Sequence, residues 1–598
     1  MFVWDKDDLN DEQVAAIEEE KSVFLVACPG SGKTRALTYK IALELSKLDE
    51  KNKWVIAITY THRAADEIHE RIDRLGVDTS KLWIGTIHSF CLEWILKPYA
   101  IYHDALKNGF RVINSYDTEQ KITELCQPYR NQNVTYYDCG HHYTSAETKL
   151  ACTGVKKPYV EEVLSQYHAN LYNNQQVDFE QILLFAYELI VQQPVISKLL
   201  SSLFSYVLVD EFQDTKEIQY MIFSSILKAG NGKVKVFIVG DPNQAIYGSL
   251  GGYAVTADEF RGMANIELKE KYLSLNYRSS SRIIEYFSNY NVHNTSILAA
   301  GELSGFQSTI TYDGITAKEN LVEKLSQHIR YNIETLGISP NEICIIAPWW
   351  IHLASMTRSL VTALPQYSFD GPGMVPFTRD LDNFWFKLTK IILTEPSPKM
   401  YVRRLRWAND ILSDLERENI DVSHLSRKDF LRECNSILLT EQDGMTYLKV
   451  FFDQLFEKLS IDFRAVASLA EHHEAFFTSS QARIDRLQRE QDCFISEIST
   501  FRKVFESRSG ITVSTIHGVK GGEYDVVIAY ALLEDIVPNF NDSSEESAKK
   551  LLYVIGSRAR KHLHLISETG RMRGQGRYRK EYCPTNMLNS CIFEYDIN

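Results

Sequence analysis

Short apolar runs that lead into small or acidic residues mark the first half of the chain. Three of them are SVFLVA (22–27), YVLV (206–209) and VFIVG (236–240), in which apolar and polar positions do not alternate. Runs of this kind are typical of strands buried on both faces of a parallel sheet. The pattern therefore predicts an α/β fold with candidate chemistry at the carboxyl ends of the strands.

The first run leads into the loop ACPGSGKTR and then into RALTYKIALELSKL, which has helical spacing of its apolar positions. A strand, a small-residue loop and a helix form the context of a P-loop. Gly30 and Gly32 let successive N–H groups and the helix N-terminus face a phosphate. We expect Lys33 to reach the β- and γ-phosphates and Thr34 to ligate Mg²⁺. Ala27 replaces the usual first glycine, so a glycine-rich turn without a nucleotide is the alternative.

The second run ends in two adjacent acids, Asp210 and Glu211. An acid at a strand end can hold Mg²⁺ through its hydration shell, and a second can orient or deprotonate the attacking water. We assign the first role to Asp210 and the second to Glu211. An acidic pair alone is usually just solvated, but together with Lys33 it indicates hydrolysis of a nucleoside triphosphate. Gln244 follows the third run, and its position alone fits an ordinary loop residue.

Composition limits the class of protein but not its partner. With 598 residues the chain is too long for one core. Its 44% hydrophobic and 24% charged residues are ordinary for a soluble globular protein. We expect a reduced, cytoplasmic protein without a membrane span, because no signal-peptide pattern or long apolar run is seen. The net charge of −13 does not indicate a polyanionic partner, yet a local basic groove can exist on an acidic protein.

The cysteines and histidines form no complete metal-binding pattern in the sequence. The ten cysteines are scattered without CxxC pairs, which favours a reduced protein. The nearest approach to a metal cluster is CGHHY (139–143), with Cys152 beyond it. Because no second closely spaced ligand pair completes a tetrahedral set, no zinc site is expected there.

Further motifs occur in a fixed order along nearly the whole chain. They are LNDEQVAAI (9–17), VIAITYTHRAADEIHERI (55–72), WIGTIHSF (83–90), VDFEQILLFA (177–186), DEFQDT (210–215), LNYRSSSRI (275–283), ITVSTIHGVKGGEYDVVI (511–528) and LLYVIGSRARKHLHLI (551–566). Together with the P-loop, this series resembles the UvrD/Rep-like branch of superfamily 1 helicases. DEFQDT is the most specific of these motifs, and in this branch alanine is common at the position of Ala27.

The resemblance implies two RecA-like P-loop motor domains, with parallel sheets flanked by helices, each carrying a mostly helical inserted domain. The first motor domain is expected at 1–91 and 199–270 with its insertion at 92–198, and the second at 271–377 and 509–598 with its insertion at 378–508. The distance from Lys33 to Asp210 supports the first insertion, because it far exceeds one βα crossover. The second insertion is smaller than is usual for this branch, which leaves its role open.

The resemblance also assigns contacts to ATP and Mg²⁺. Gln13 is expected to read the adenine, Arg35 and Tyr277 to sandwich it, and Glu523 to accept from the ribose hydroxyl. The phosphates are expected against Pro29, Gly30, Ser31, Gly32, Lys33 and Thr34, with the metal ion on Thr34 and Asp210. Arg278 and Arg558 become arginine fingers and Gln244 a γ-phosphate sensor. If Arg278 and Arg558 did not stand inside these motifs, we would expect them to form surface salt bridges.

The resemblance implies that the protein binds single-stranded DNA. Its contacts are expected at Thr59, Tyr60, Thr61, Thr86, His88, Tyr247 and His517. Relatives usually carry a tryptophan two residues after the tyrosine of IYGSLGG, where this chain has Ser249. Loss of that ring removes about 1–3 kcal/mol of stacking, and Tyr253 is a candidate substitute. The pair Trp349–Trp350 follows a core strand, so we expect packing rather than contact with DNA.

Two functions of different kinds follow. The first is an ATP-driven 3′→5′ single-stranded DNA translocase and helicase that acts at duplex junctions in repair, replication restart or defence against foreign DNA. The second is a DNA-stimulated ATPase subunit, for example of an anti-phage system, that senses DNA and regulates a partner nuclease with little unwinding. Ser249, the small second insertion and the acidic balance favour the second modestly. A non-hydrolysing relative is disfavoured because the whole catalytic set is present.

The tail after residue 570, RMRGQGRYRKEYCPTNMLNSCIFEYDIN, holds basic residues but no spaced carboxylate–lysine set typical of a nuclease. Its basic run either contacts phosphate or is solvated.

Overall fold

The structure is a computed structural model that describes most of the chain. The described residues are 2–50, 52–152, 154–371, 375–377, 380, 383–489, 495–505, 510–539, 542, 544–573 and 579–597. Two large parallel sheets, each of six strands, account for the architecture. We number their strands β1 to β12 in chain order.

The first sheet contains the strands predicted from the apolar runs. They are β1 (Ser22–Ala27), β2 (Trp54–Thr59), β3 (Leu82–Thr86), β4 (Phe204–Asp210), β5 (Lys235–Gly240) and β6 (Leu268–Leu273). Their spatial order is β6-β1-β5-β4-β2-β3, and all pairs are parallel. The P-loop, Asp210 and the Gln244 loop therefore leave one edge of the sheet side by side. β6 pairs with β1 up to Leu273, past the expected boundary at residue 270.

Strand β1 shows why these runs lack polar alternation. All six of its residues are buried. Val23 and Leu25 pack into a core with the helices Lys33–Ser46 and His62–Leu75. Phe24 and Val26 point the other way, into a core with other helices of the first half of the chain. These are Phe179–Gln192, Pro194–Leu203, Glu217–Gly230 and Ala257–Ala264.

The second sheet repeats this architecture in the second half of the chain. Its strands are β7 (Ile310–Asp313), β8 (Ile343–Ala347), β9 (Phe369–Asp370), β10 (Ile511–Thr515), β11 (Tyr524–Ala529) and β12 (Ala559–Ile566). The order is β7-β12-β11-β8-β10-β9, again all parallel. Flanking helices include Ser281–Ser288, Leu321–Arg330, Trp350–Ala363 and Glu545–Gly556. Two parallel sheets flanked by helices confirm the predicted α/β class.

The segment between β3 and β4 has its own small core around Tyr167 and Val163. Its helices include Ser115–Cys126 and Lys157–Asn173, and it also contains an antiparallel hairpin, His141–Tyr143 with Thr148–Leu150, which the helical reading did not foresee. The hairpin turn contacts the helix Glu217–Gly230 beside the first sheet, where the Ser145 N–H and hydroxyl donate to the Glu217 carboxylate at 2.7 and 2.6 Å.

The segment between β9 and β10 is helical and packs around the buried indole of Trp385. Its helices are Phe384–Leu393, Tyr401–Arg417, Arg427–Ser436, Gly444–Lys458, Ala467–Arg489 and Ile498–Lys503. One of them contacts the first half of the chain through ion pairs, Arg403 with Glu70 and Arg417 with Glu93.

Shorter elements of the described chain include the helices Asp11–Ile17, Ile87–Phe90, Lys97–Tyr99 and Asn586–Asn589 and the antiparallel strand pair Met572–Arg573 and Lys580–Glu581. Within the described residues, no single helix is long and apolar enough to cross a bilayer. The adjacent helices Phe179–Gln192 and Pro194–Leu203, bent by 99°, meet that test only as a pair.

Candidate nucleotide and nucleic-acid sites

A cavity of about 1080 Å³ lies between the two sheets. Most of the residues predicted to bind a nucleotide line it: Gln13, Pro29, Gly30, Gly32, Lys33, Thr34, Arg35, Asp210, Glu211, Gln244, Tyr277, Arg278, Glu523 and Arg558. Ser31 does not, because its hydroxyl turns away from the cavity and donates to the Cys28 carbonyl at 2.7 Å. Residues from both halves of the chain therefore share one cleft.

The P-loop needs its two glycines for both conformation and space. Gly30 and Gly32 have φ angles of +69° and +80°, in the left-handed region that favours glycine. A Cβ on Gly30 would lie 2.6 Å from the Arg278 Cβ, and one on Gly32 would lie 2.5 Å from the Gln13 amide nitrogen. Ala27 stands before the turn, as the last buried residue of β1, so its methyl group is tolerated.

Lys33 begins the helix that follows the P-loop. Its ammonium lies 3.4 Å from the Ala27 carbonyl oxygen, and Gly32 caps the helix without a side chain. The free N–H groups of the first turn and the ammonium face the same cavity. This combination is suited to the phosphates of a nucleotide.

Asp210 and Glu211 form a buried acidic pair at the end of β4. The Glu211 N–H donates to the Asp210 carboxylate at 3.0 Å. Burial and the adjacent Glu211 raise the pKa of Asp210 to about 8. Burial also raises the pKa of Glu211. The positive charges of Lys33 and Lys520 more than offset that rise and hold the pKa of Glu211 below its usual range. Two carboxyls that repel each other in a buried site fit a divalent cation, whose charge would stabilise both anions.

Backbone strain occurs at the same position. Glu211 has a φ of +52°, a left-handed conformation that a residue with a side chain adopts at a cost. The Gln213 amide donates to the Glu211 carboxylate at 2.6 Å and accepts the Asp241 N–H at 3.0 Å. These contacts hold the Glu211 carboxylate in a fixed direction toward the cleft.

Gln244 and Arg558 join the two halves of the chain inside the cleft. The Gln244 amide donates to the Asp241 carboxylate at 2.8 Å, and its oxygen accepts from the Arg558 guanidinium at 2.8 Å. Both side chains are 2% exposed. Burial lowers the pKa of Arg558 to about 10, so the guanidinium remains charged at neutral pH. The carbonyls of Val554 and Gly522 accept its other N–H groups.

Arg278 also lines the cleft. Its guanidinium pairs with the Glu523 carboxylate and donates to the Ser557 carbonyl at 2.8 Å. Burial raises the pKa of Glu523, but the charge and hydrogen bond of Arg278, together with the charges of Arg558 and Arg560, more than offset the effect of burial and lower that pKa. In this structure, Glu523, which is expected to contact the ribose, therefore pairs with Arg278, which is expected to act as an arginine finger.

The adenine end of the cleft is open on one side. Tyr277 is 43% exposed, and its position is fixed by its N–H, which donates to the Gly30 carbonyl at 3.0 Å, and by its hydroxyl, which accepts from Asn10 at 2.9 Å. The Gln13 amide donates to the Ser31 carbonyl at 2.9 Å. Arg35 donates to the Asp8 carbonyl at 3.1 Å. The residues predicted to read or sandwich the base therefore lie around the P-loop.

Sequence reasoning assigned no role to one buried ion pair across the cleft. Lys520 of the second half contacts both carboxylate oxygens of Asp214 and donates to the Gln244 carbonyl at 2.8 Å. The Lys520 and Asp214 side chains are 9% and 1% exposed. Both residues stand inside quoted motifs, DEFQDT and the segment 511–528, but pairing across two domains is a tertiary feature that neither motif reveals alone.

A series of three rings crosses the opening of the cleft. The ring centroids of Tyr60 and Tyr247 are 5.2 Å apart, and those of Tyr247 and His517 are 5.1 Å apart. The Tyr247 hydroxyl donates to the His517 carbonyl at 3.3 Å. The Lys520 ammonium lies 5.4 Å from the centre of the Tyr247 ring. Tyr60 belongs to the first half and His517 to the second, so the rings span the motors.

The remaining residues predicted to contact DNA have structural partners. Thr61 and Thr86 cap the helices that follow them, accepting from Ala64 and Ser89. The Thr59 hydroxyl is buried and donates to the Thr61 carbonyl. The His88 ring packs against Phe179, and burial lowers its pKa to about 4. Thr61 lines the cleft, whereas Thr59, Thr86 and His88 do not.

The aromatic departures noted in the sequence lie near this opening. The side chain of Ser249 lies outside the described residues. The Tyr253 hydroxyl donates to Glu259 at 3.1 Å, and its ring packs against Tyr220 at 6.4 Å. Trp349 and Trp350 line a second cavity of about 440 Å³, together with His517.

Two arginines of the basic tail form ion pairs within the chain. Its Arg571 pairs with Glu568 and its Arg573 with Asp535. The positions 574–578 lie outside the described residues.

Comparisons with known proteins agree with this arrangement. Residues 9–262 match the model of the UvrD/REP helicase N-terminal domain, and residues 494–570 match that of the UvrD-like helicase C-terminal domain. The ATP-dependent DNA helicase PcrA of Staphylococcus epidermidis is 24% identical over 94% of this chain and 84% of its own length. The ATP-dependent DNA helicase srs2 of Schizosaccharomyces pombe is 25% identical over 94% of this chain and 71% of its own.

Proposed function

The chain belongs to the UvrD/Rep-like branch of superfamily 1 helicases, and on this premise we propose that it hydrolyses ATP to move along single-stranded DNA in the 3′→5′ direction and to open duplexes at junctions with a single strand. The observation that supports the proposal most strongly is the hydrogen bond between Arg558 and Gln244. It joins the second motor to the first beside Lys33, in the cleft where ATP would bind.

Binding of ATP uses groups that already face the cleft. Lys33 and the helix N-terminus attract the phosphates. Arg35 and Tyr277 are placed on either side of the P-loop to hold the base, beside Gln13. Glu523 becomes available to the ribose when Arg278 exchanges its carboxylate partner for phosphate oxygens.

Hydrolysis requires charge neutralisation and an oriented water. Thr34 and Asp210 would hold Mg²⁺, which supplies positive charge to the phosphate oxygens. Glu211, fixed by Gln213, orients or deprotonates the attacking water. Arg278 and Arg558 stabilise the charge that develops on the γ-phosphate, and fingers of this kind contribute about 10³–10⁵ in rate.

Movement follows from where these groups are anchored. Because the fingers belong to the second motor and the P-loop to the first, ATP draws the motors together and loss of its γ-phosphate releases them. Gln244 contacts Arg558 through its side chain and Lys520 through its carbonyl. Tyr247, three residues further on, makes tilted ring contacts with Tyr60 of the first motor and His517 of the second. This short loop is the proposed link between the γ-phosphate and the grip on bases.

The pathway is proposed in outline only. We place the activity in the cytoplasm, in DNA repair, replication restart or defence against foreign DNA, including phage. A second candidate is a DNA-stimulated ATPase subunit that regulates a partner nuclease. Ser249 in place of a stacking tryptophan favours it, because a weaker grip on single strands suits a DNA sensor more than an autonomous helicase.

The test combines two assays on the purified chain. ATP hydrolysis is measured with and without single-stranded DNA, and strand displacement is measured on duplexes with a 3′ tail or a 5′ tail. Stimulated hydrolysis with displacement from the 3′ tail only is the expected result. Stimulation without displacement would favour the regulatory subunit, and displacement from the 5′ tail alone would refute the direction.

The Glu211→Gln variant is the matched control for chemistry. Its amide keeps the shape of the side chain but cannot take a proton, so ATP binding should remain near the wild-type level while turnover is lost. A labelled ATP analogue measures the binding. Turnover at the wild-type rate would contradict the role of Glu211.

A further inference from the structure

Two imidazoles and one carboxylate meet in the first insertion, outside the motor cleft. His141 lies in the hairpin strand His141–Tyr143, His168 in the helix Lys157–Asn173, and Asp178 at the N-cap of the helix Phe179–Gln192. One possible ligand atom from each side chain lies within 4.8 Å of the other two. The sequence around CGHHY gave no reason to expect a metal site, because two of the three ligands come from distant elements.

The environment of His141 favours coordination through one of its nitrogens. Its Nδ1 lies 3.2 Å from the Cys139 carbonyl oxygen, which only accepts, so Nδ1 carries the hydrogen and Nε2 keeps a free lone pair. That Nε2 is buried and has no hydrogen-bond partner among the described residues. A histidine that donates to a backbone carbonyl from one nitrogen and presents the other is the usual arrangement of a metal ligand.

His168 and Asp178 supply complementary chemistry. The centroids of the His141 and His168 rings lie 5.4 Å apart, and the neutral imidazole is the form that binds metals. The Tyr143 hydroxyl lies 3.4 Å from the His168 Nε2.

Asp178 is 6% exposed. One of its oxygens accepts the Gln181 N–H at 2.8 Å, and no ion pair reaches it within the part of the chain that the structure describes. The helix N-terminus favours the negative charge of this carboxylate, and a metal ion would add a full positive charge beside it.

We propose that His141, His168 and Asp178 bind one divalent transition-metal ion, with Zn²⁺ as the best match. Two imidazoles and a carboxylate are ligands that Zn²⁺ accepts, whereas Mg²⁺ and Ca²⁺ prefer oxygen ligands throughout. Three protein ligands leave one tetrahedral position for water. The three ligand atoms, which lie within 4.8 Å of one another, would close to the spacing set by Zn–N and Zn–O distances of about 2.0–2.2 Å.

The ion would fasten the hairpin to two helices of the insertion. The same hairpin reaches the first motor through Ser145 and Glu217, and its His142 ring lies against Gly251, where a Cβ would be 2.8 Å from the ring. Gly251 belongs to the loop that carries Tyr247. A metal at this site is therefore placed to hold the insertion against the loop that links ATP to DNA, which goes beyond the proposed function.

The experiment titrates the full-length chain, freed of metal by a chelator, with Zn²⁺ in competition with a metal-binding dye, and repeats the titration with Co²⁺ to record its visible absorption. We expect one ion per chain and tetrahedral Co²⁺ bands. His141→Ala and His168→Ala should each weaken Zn²⁺ affinity at least about 100-fold, since loss even of a group that only supports a ligand costs 10–100-fold.

Two matched controls separate this site from its neighbours. His142→Ala removes the adjacent imidazole on the opposite face of the strand, and Cys152→Ser removes a nearby thiol; both should keep wild-type affinity. To exclude misfolding, His141→Gln and His168→Gln are compared by circular dichroism and melting temperature without metal, and Zn²⁺ should raise the melting temperature of the wild type but not of these variants. Less than one ion per wild-type chain, equal affinity in the His141 and His168 variants, or equal loss in a control would overturn the proposal.

Discussion

The cleft proposed to bind ATP and the series of rings proposed to bind single-stranded DNA lie side by side yet are built differently. In the cleft, Arg558 and Gln244 are almost fully buried and joined by direct hydrogen bonds. At its opening, Tyr60 is 43% exposed and contacts Tyr247 through a tilted pair of rings. Buried charges stabilise a transition state because they are already in place before the reaction. Exposed rings bind and release bases at modest cost, which suits a contact that must be broken in each cycle.

Removing a finger from the cleft should have the largest effect. Arg558→Ala takes away a buried cation and the partner of the Gln244 oxygen, so we expect turnover to fall by about 10³–10⁵. ATP hydrolysis at saturating ATP measures the loss. Arg560→Ala is the control, because Arg560 pairs with Asp525 and Glu342 outside the cleft and should change turnover little. A similar loss in both variants would show that Arg558 has no special role.

Breaking the buried ion pair between Lys520 and Asp214 should have the second-largest effect, and this effect is on stability. Lys520→Met leaves the Asp214 carboxylate buried without its cation, which costs about 3–5 kcal/mol. Asp214→Leu leaves Lys520 in the same position. We expect each single variant to lower the melting temperature and the double variant to recover much of the loss, because an apolar pair of similar volume is tolerated. Additive losses in the double variant would contradict the pairing.

The two regions also differ in how far the sequence predicts them. Asp210 and Glu211 follow a run of buried residues, and the carboxyl ends of neighbouring parallel strands meet at one edge, so their approach to Lys33 follows from the order of the strands. The pairing of Lys520 with Asp214 depends on how two separate sheets dock. No local pattern contains that information.

The same reason explains the first insertion. Its helices show 3.6-residue spacing, but the hairpin from His141 to Leu150 is short and polar and carries little periodic signal. His168 reads as one histidine on an otherwise ordinary helix, and Asp178 as a helix cap. Only their common position in the fold gives the three polar residues a shared chemistry.

On the nucleic-acid face, truncating the central ring should weaken binding to a single strand without abolishing ATP hydrolysis. Tyr247→Ala removes the ring that contacts both Tyr60 and His517. We expect a loss of about 1–3 kcal/mol in single-strand affinity, measured by fluorescence anisotropy at fixed salt. Tyr253→Ala is the control, since its ring packs on Tyr220. An equal loss of affinity in the control would show that the single strand binds elsewhere on this face.

The smallest expected change sharpens the comparison because it adds an aromatic ring instead of removing one. Ser249→Trp places a ring two residues after Tyr247, where relatives stack a base. We expect affinity for a single strand to rise by about 1 kcal/mol, near the lower end of the stacking range, because the new side chain must also be ordered. Ser249→Ala serves as the control and should leave affinity unchanged. If the tryptophan brought no gain, the grip would not be limited at this position, and Ser249 would no longer favour a DNA-sensing subunit over an autonomous helicase.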